Sequence, residues 1–249
     1  MNTDRRIIKL QNVGSTNDFL REQGHNYTEP MVIAKAEYQS AGRGQGTNRW
    51  ESAPGKNLLF SLLIHPISVA ARRQFVLSMA GSLAVGDALA AYTEDISLKW
   101  PNDVYWNDRK ISGTLIETVL SGSTIQDCIF GIGININQEA FVSDAPNPVS
   151  LYQILHRETD IDEVLTRVLD AFARYYDRVM QGDYDSISRM YHERLYRRDG
   201  LHAFSDNDGT FMARISHVES DGHLVLRDTN GNERRYAFKE VNYIIPQNG

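Results

Sequence analysis

Residues 98–113 read Leu-Lys-Trp-Pro-Asn-Asp-Val-Tyr-Trp-Asn-Asp-Arg-Lys-Ile-Ser-Gly, two cationic clusters separated by turn residues. Each part has an ordinary explanation. Trp100 before Pro101 reads as a core tryptophan ending a strand, Asn102-Asp103 as a turn pair, and Lys110 as a solvated lysine entering a strand. Upstream, Gln39 to Trp50 reads Gln-Ser-Ala-Gly-Arg-Gly-Gln-Gly-Thr-Asn-Arg-Trp. Gly42, Gly44 and Gly46 can expose backbone N–H groups there, and Arg43 and Arg49 carry fixed guanidinium forks for phosphate or carboxylate. In a chain of formal net charge −6, these three cationic islands point to one site for a negatively charged, nucleotide-like ligand.

Composition narrows the class. The 249 residues suffice for one large domain with a small appendage, and 41% hydrophobic with 23% charged residues is ordinary for a globular protein. The acidic balance disfavours a broad nucleic-acid-binding face. The single cysteine, Cys128, lies in an apolar run and reads as a buried small hydrophobe; one cysteine excludes a disulfide framework and a thiolate metal cluster. The polar start, Met-Asn-Thr-Asp-Arg-Arg, leads to only a short apolar stretch, so neither a signal peptide nor a membrane span is expected and the cytoplasm is the expected location. Gly55-Lys56 lacks the upstream glycine of a P-loop, Gly42-Arg43-Gly44 lacks the third glycine of a dinucleotide fingerprint, and no Gly-x-Ser-x-Gly elbow occurs. The histidines show no metal-ligand spacing, so no protein-held metal is expected; a metal would arrive with a nucleotide.

Around the motifs, periodicity predicts a strand at Ile7–Leu10, then a helix through Asp18 to Gln23 with Ser15 or Thr16 as N-cap. Met31–Tyr38 and Leu58–Ile64 read as buried strands flanking the glycine–arginine loop. Ser68 is the expected cap of a helix to about Tyr92, small and apolar almost all round. Thr114–Leu120 and Thr124–Ile136 form an expected hairpin across Ser121-Gly122-Ser123. A helix starts near Asp160, where Asp160 and Glu163 have capping-box spacing. After Arg198, Asp-Asn-Asp-Gly, Ser-Asp-Gly and Thr-Asn-Gly-Asn punctuate short strands, predicting a small β-barrel from Asp199 to Pro246.

Taken in order, Ser15-Thr16-Asn17, Gln39 with Gly42-Arg43-Gly44, Lys99-Trp100-Pro101-Asn102-Asp103, Arg109-Lys110-Ile111-Ser112-Gly113 and Gly133-Ile134-Asn135 closely resemble the motif series of biotin–protein ligases. The resemblance runs from about Val13 to Asn137 and more weakly beyond. It implies an α/β (α+β) fold: a mixed central sheet with helices packed on one side as a catalytic domain (1–195), then a small C-terminal β-barrel domain (196–249). It implies an AMP-forming ligase that converts biotin and Mg-ATP to biotinyl-5′-adenylate, then biotinylates a lysine of a biotin carboxyl carrier protein domain. Lys110 and Arg43 would be catalytic. Ser15, Thr16, Asn17, Gln39, Arg43, Gly44, Gln45, Lys110 and Gly113 would bind biotin. Arg43, Arg49, Trp50, Lys99, Asn102, Asp103 and Asn135 would meet the nucleotide, with Asp103 orienting Lys110 or meeting the incoming lysine. Gln45 departs from the family, which often has arginine there to help hold the intermediate. About a dozen residues precede Gly14, too few for a helix-turn-helix, so a short form without DNA binding is expected. A lipoate or octanoate ligase, and a non-catalytic biotin sensor, remain the alternatives; a homodimer is left open.

Overall fold

The computed structural model describes residues 4–46, 48–142 and 147–245. Thr47 of the glycine–arginine loop, Pro246 at the end of the expected barrel, and the outer ends of both expected domains (1–3 and 246–249) lie outside them. A seven-stranded sheet is built from β1 (Arg5–Val13), β2 (Met31–Gln39), β3 (Leu58–Ile64), β4 (Ile96–Lys99), β5 (Asp103–Trp106), β6 (Arg109–Ser121) and β7 (Thr124–Ile134). Its order is β1-β2-β3-β7-β6-β5-β4, with β1 and β2 parallel and the other neighbours antiparallel. Gly122, at φ +60°, turns the β6–β7 hairpin in the left-handed region that glycine adopts freely.

Both faces of the sheet are covered. Strand side chains alternate, so Met31, Ile33, Phe60, Leu62, Phe130 and Ile132 face one core while Val32, Ala34, Leu63 and Ile129 face another. The larger core receives α2 (Phe75–Ala90), α4 (Ile161–Met180) and α5 (Tyr184–Glu193), with α3 (Leu151–Leu155) at its edge. Helix α2 is buried almost all round, and Gly81 lets it approach Phe130 closely: a Cβ there would stand 3.1 Å from the ring. The expectation of helices on one side alone is corrected. Helix α1 (Thr16–Gln23) lies on the opposite face, where Leu20 covers the second set of apolar strand residues that would otherwise meet water.

Helix ends differ in detail. Ser15 caps α1, its hydroxyl accepting from the Asp18 amide. Ser68 does not cap α2, because Ala70 bridges to Thr124 and keeps the chain extended; a 3-10 turn at Ala71–Arg73 intervenes before Gln74 opens the helix. Asp160 accepts from the Asp162 and Glu163 amides, while the Glu163 carboxylate turns to Arg167 instead of completing a capping box.

The C-terminal strands β8 (His202–Asp206), β9 (Gly209–Val218), β10 (Leu224–Asp228), β11 (Glu233–Tyr236) and β12 (Asn242–Tyr243) form an antiparallel sheet ordered β11-β10-β9-β8-β12. Its apolar face, with Phe204, Leu224 and Leu226, is continuous with the larger core of the first sheet. Among the described residues no helix is long and apolar enough to cross a membrane.

Candidate active site

A cavity of about 870 Å³ opens on the α1 face of the large sheet, where β6 and β7 carry glycines. Gly113 pairs with Gly133 and Leu115 with Gly131, so these positions share one face of the pleat. A side chain at any of the three glycines would fill the floor. A Cβ on Gly131 would strike the Asn17 amide, one on Gly133 the Trp50 indole, and one on Gly113 would come within 3.0 Å of both Lys110 and Trp50. The glycines are therefore required for close approach of these groups to the sheet.

All fifteen residues expected at the site line this one cavity. At one end, the start of α1 packs on β3. The Thr16 amide and hydroxyl both reach Gln39 Oε1, at 2.7 and 3.0 Å, and Ser61 Oγ lies 2.6 Å from Thr16 Oγ1 and 2.5 Å from Asn17 Oδ1. Ser15, Thr16, Asn17 and Ser61 are all buried, so this is a neutral polar nest inside an apolar wall.

Further along β6, Lys110 Nζ lies 2.8 Å from the Asp103 carboxylate and 5.9 Å from the centre of the Trp50 ring. Trp50 lies over Gly113 and Gly133, and its indole N–H is buried without a hydrogen-bond partner among the described residues. Lys99 sits between aromatic rings, its Nζ 4.5 Å from the Tyr243 centroid and 5.4 Å from that of Tyr105. Burial there holds its ammonium below the ordinary lysine range; the nearby Asp103 opposes the shift. The Asn102 and Asn135 side-chain NH₂ groups donate to the Thr114 and Val149 carbonyls, bracing the strands beneath the cavity.

The glycine–arginine loop forms the rim. Its ends are tied by Gly44 N–H to Asn48 O and Trp50 N–H to Gly42 O, and Gln45 and Arg49 line the opening. Arg43 is engaged by carboxylates: its Nη2 stands 2.8 Å from Asp18 and 3.3 Å from Glu117. The sequence reading missed Ser61 and Glu117, which lie in strand interiors outside every motif, and missed Phe238, Lys239 and Tyr243 of the C-terminal unit, which close the far wall. The one signal for Ser61 in the sequence is a lone hydroxyl in a strand otherwise apolar throughout.

One acid-rich cluster lies elsewhere. Glu219, Asp221 and His223 gather in the turn between β9 and β10, but Arg235 donates to all three.

A model of the Biotin/lipoate A/B protein ligase family matches residues 9–135. The chain is 28% identical over 239 residues to the Bifunctional ligase/repressor BirA of Bacillus spizizenii, covering 93% of this chain and 72% of that one. It is 29% identical over 216 residues to the Biotin--[acetyl-CoA-carboxylase] ligase of Paracoccus denitrificans, covering 81% and 85%. Among solved structures, biotin protein ligase from Aquifex aeolicus in complex with biotin and ATP superposes with a TM-score of 0.80 at 26% identity, over 97% of this chain and 99% of that one.

Proposed function

The chain belongs to the biotin/lipoate A/B protein ligase family, and on that premise we propose how its cavity works as the site of an ATP-dependent biotin–protein ligase. The enzyme activates biotin as biotinyl-5′-adenylate and transfers the biotinyl group to a protein lysine. The observation that carries the reading is the order along β6: a neutral polar nest at Asn17, then the glycine floor, then Lys110 beside Asp103.

A cyclic urea has two N–H donors and one carbonyl acceptor. The buried Thr16, Asn17 and Ser61, with the half-buried Gln39, offer the matching donors and acceptors, where a ring lacking those groups would gain no such bonds. The glycine floor takes the acyl chain. Its carboxylate must then approach the α-phosphate of ATP, bringing two anions together. Lys110 is the cation at that point, and Lys99 and Arg49 add positive charge on the nucleotide side. Carboxylate oxygen attacks phosphorus, the bond to pyrophosphate breaks, and the mixed anhydride remains under the loop and Trp50. In the second half-reaction the acceptor amine attacks the acyl carbon and AMP leaves. Asp103, fixed by Lys110, accepts the proton of the incoming ammonium. Magnesium travels with the nucleotide: Asp103 is already paired with Lys110, which leaves it poorly suited to a protein-held ion.

The acceptor in this reading is the target lysine of a biotin carboxyl carrier protein domain, in the cytoplasm. Residues 1–195 act as the catalytic domain and 196–249 as an appended domain that closes the cavity. Incubation with such a carrier domain, biotin and ATP is expected to label one lysine, and a carrier with arginine at that position is expected to stay unlabelled. Equal labelling of both carriers contradicts the assignment.

A further inference from the structure

Glu117 belongs to none of the sequence motifs, yet it touches both halves of the site. It projects from β6 on the cavity face, across from Ile129 and two residues beyond Leu115. Its Oε2 accepts from Asn17 Nδ2 at 2.7 Å, and its Oε1 from Arg21 Nη2 at 2.7 Å. Arg43 Nη2 lies 3.3 and 3.4 Å from the two oxygens. Asp18 holds the same two arginines from the other side, at 2.6 Å to Arg21 and 2.8 Å to Arg43. Two guanidiniums and two carboxylates balance, so the cluster is a brace.

An ionised carboxylate only accepts hydrogen bonds. Asn17 must therefore turn its NH₂ to Glu117 and its carbonyl oxygen to the Ser61 hydroxyl; the flipped amide would set oxygen against a carboxylate. Charge at Glu117 thus decides which end of a buried amide faces the nest that receives the urea ring. The same carboxylate holds Arg43, the side chain that opens the glycine–arginine loop. We propose that Glu117 is a positioning residue shared by both half-sites, fixing the Asn17 amide for biotin and anchoring the Arg43 loop that retains the adenylate. The inference rests on the biotin-ligase reading above.

A double-variant cycle separates this role from general support of the fold. Glu117→Gln is expected to weaken biotin binding without ATP about tenfold and to speed release of preformed biotinyl-adenylate about tenfold, the scale of one lost charge-assisted hydrogen bond. Arg43→Gln also speeds release. In the double variant, Glu117→Gln should add nothing further to release while still lowering biotin affinity, because only the Asn17 branch remains to be lost. Glu117→Asp, which keeps the charge but withdraws it by one methylene, gives a second cycle with the same expected pattern. Independent, multiplicative effects on release, or unchanged biotin affinity in Glu117→Gln, overturn the inference. A wild-type protein that binds lipoate and not biotin overturns the parent reading, and this one with it, before any variant is measured.

Discussion

Lys110 and Lys99 show how two lysines in one cavity take different tasks. Lys110 keeps a carboxylate partner at 2.8 Å and stands where charge develops, so Lys110→Ala is expected to slow adenylate formation by roughly 10²–10³, as loss of one transition-state donor does, with little change in melting temperature. Single-turnover formation of biotinyl-adenylate measures it; a rate near wild type would leave Lys110 as an ordinary turn lysine. Lys99 lies among Tyr105 and Tyr243, with Asp103, Lys110 and Arg197 the charged groups acting on it, and burial lowers its pKa. The ammonium is charged below its folded pKa and neutral above it. The KM for ATP should therefore rise with pH earlier than an exposed lysine would dictate, and Lys99→Arg, charged throughout, should remove that rise. A flat KM–pH profile in the wild type contradicts this. Lys110 was legible as a residue, since its motif quotes it outright. Its pairing with Asp103 was one of two options left open, because neither residue type nor spacing distinguishes a partner seven residues away from a solvent-facing one.

At the scale of elements, the glycine-bearing hairpin β6–β7 sets the depth of the cavity. Gly131 does not have a positive φ, so alanine fits the strand backbone, yet its Cβ would strike the Asn17 amide. Gly131→Ala is thus expected to lower biotin affinity at least tenfold and to cost about 1–3 kcal/mol of stability, because the buried Asn17 amide must give way. Titration and thermal melting of the same sample check both; biotin affinity unchanged from wild type would mean that the glycine does not set the depth of the cavity. The rim loop has its own test. Gln45 offers only uncharged hydrogen bonds where related enzymes often have arginine, and Arg49 lines the same opening. Arg49→Ala should release preformed adenylate about tenfold faster and Gln45→Arg more slowly, whereas an unchanged rate in Arg49→Ala shows that another group retains the intermediate. Strands β2, β3 and β7 and helix α4 were legible because their apolar runs and periods are strong. The start of α2 was not, since the Ala70–Thr124 bridge that delays it joins residues far apart in sequence. Nor was the side of the sheet taken by α1, which depends on the second apolar face of β2 and β3.

Across the whole molecule, the two sheets meet at Trp100. Its indole N–H donates to Gly222 O at 2.9 Å and its ring lies 5.8 Å from Phe238, while His192 Nε2 accepts from the Val218 amide at 2.8 Å. The turn-punctuated strands of the C-terminal unit could be read from sequence, but their docking onto the Lys-Trp-Pro motif could not, because a contact over a hundred residues apart leaves no local period. The cavity is thereby walled by both units, and the motif tryptophan serves the seam between them. In the proposed function this cavity joins biotin to AMP. Exchange of labelled pyrophosphate into ATP, with biotin, lipoate or octanoate as the sole added acid, tests it most directly. Exchange with biotin is expected to run well above that with either other acid and to be lost in Lys110→Ala; exchange driven by lipoate or octanoate instead, or none with biotin, would overturn the assignment.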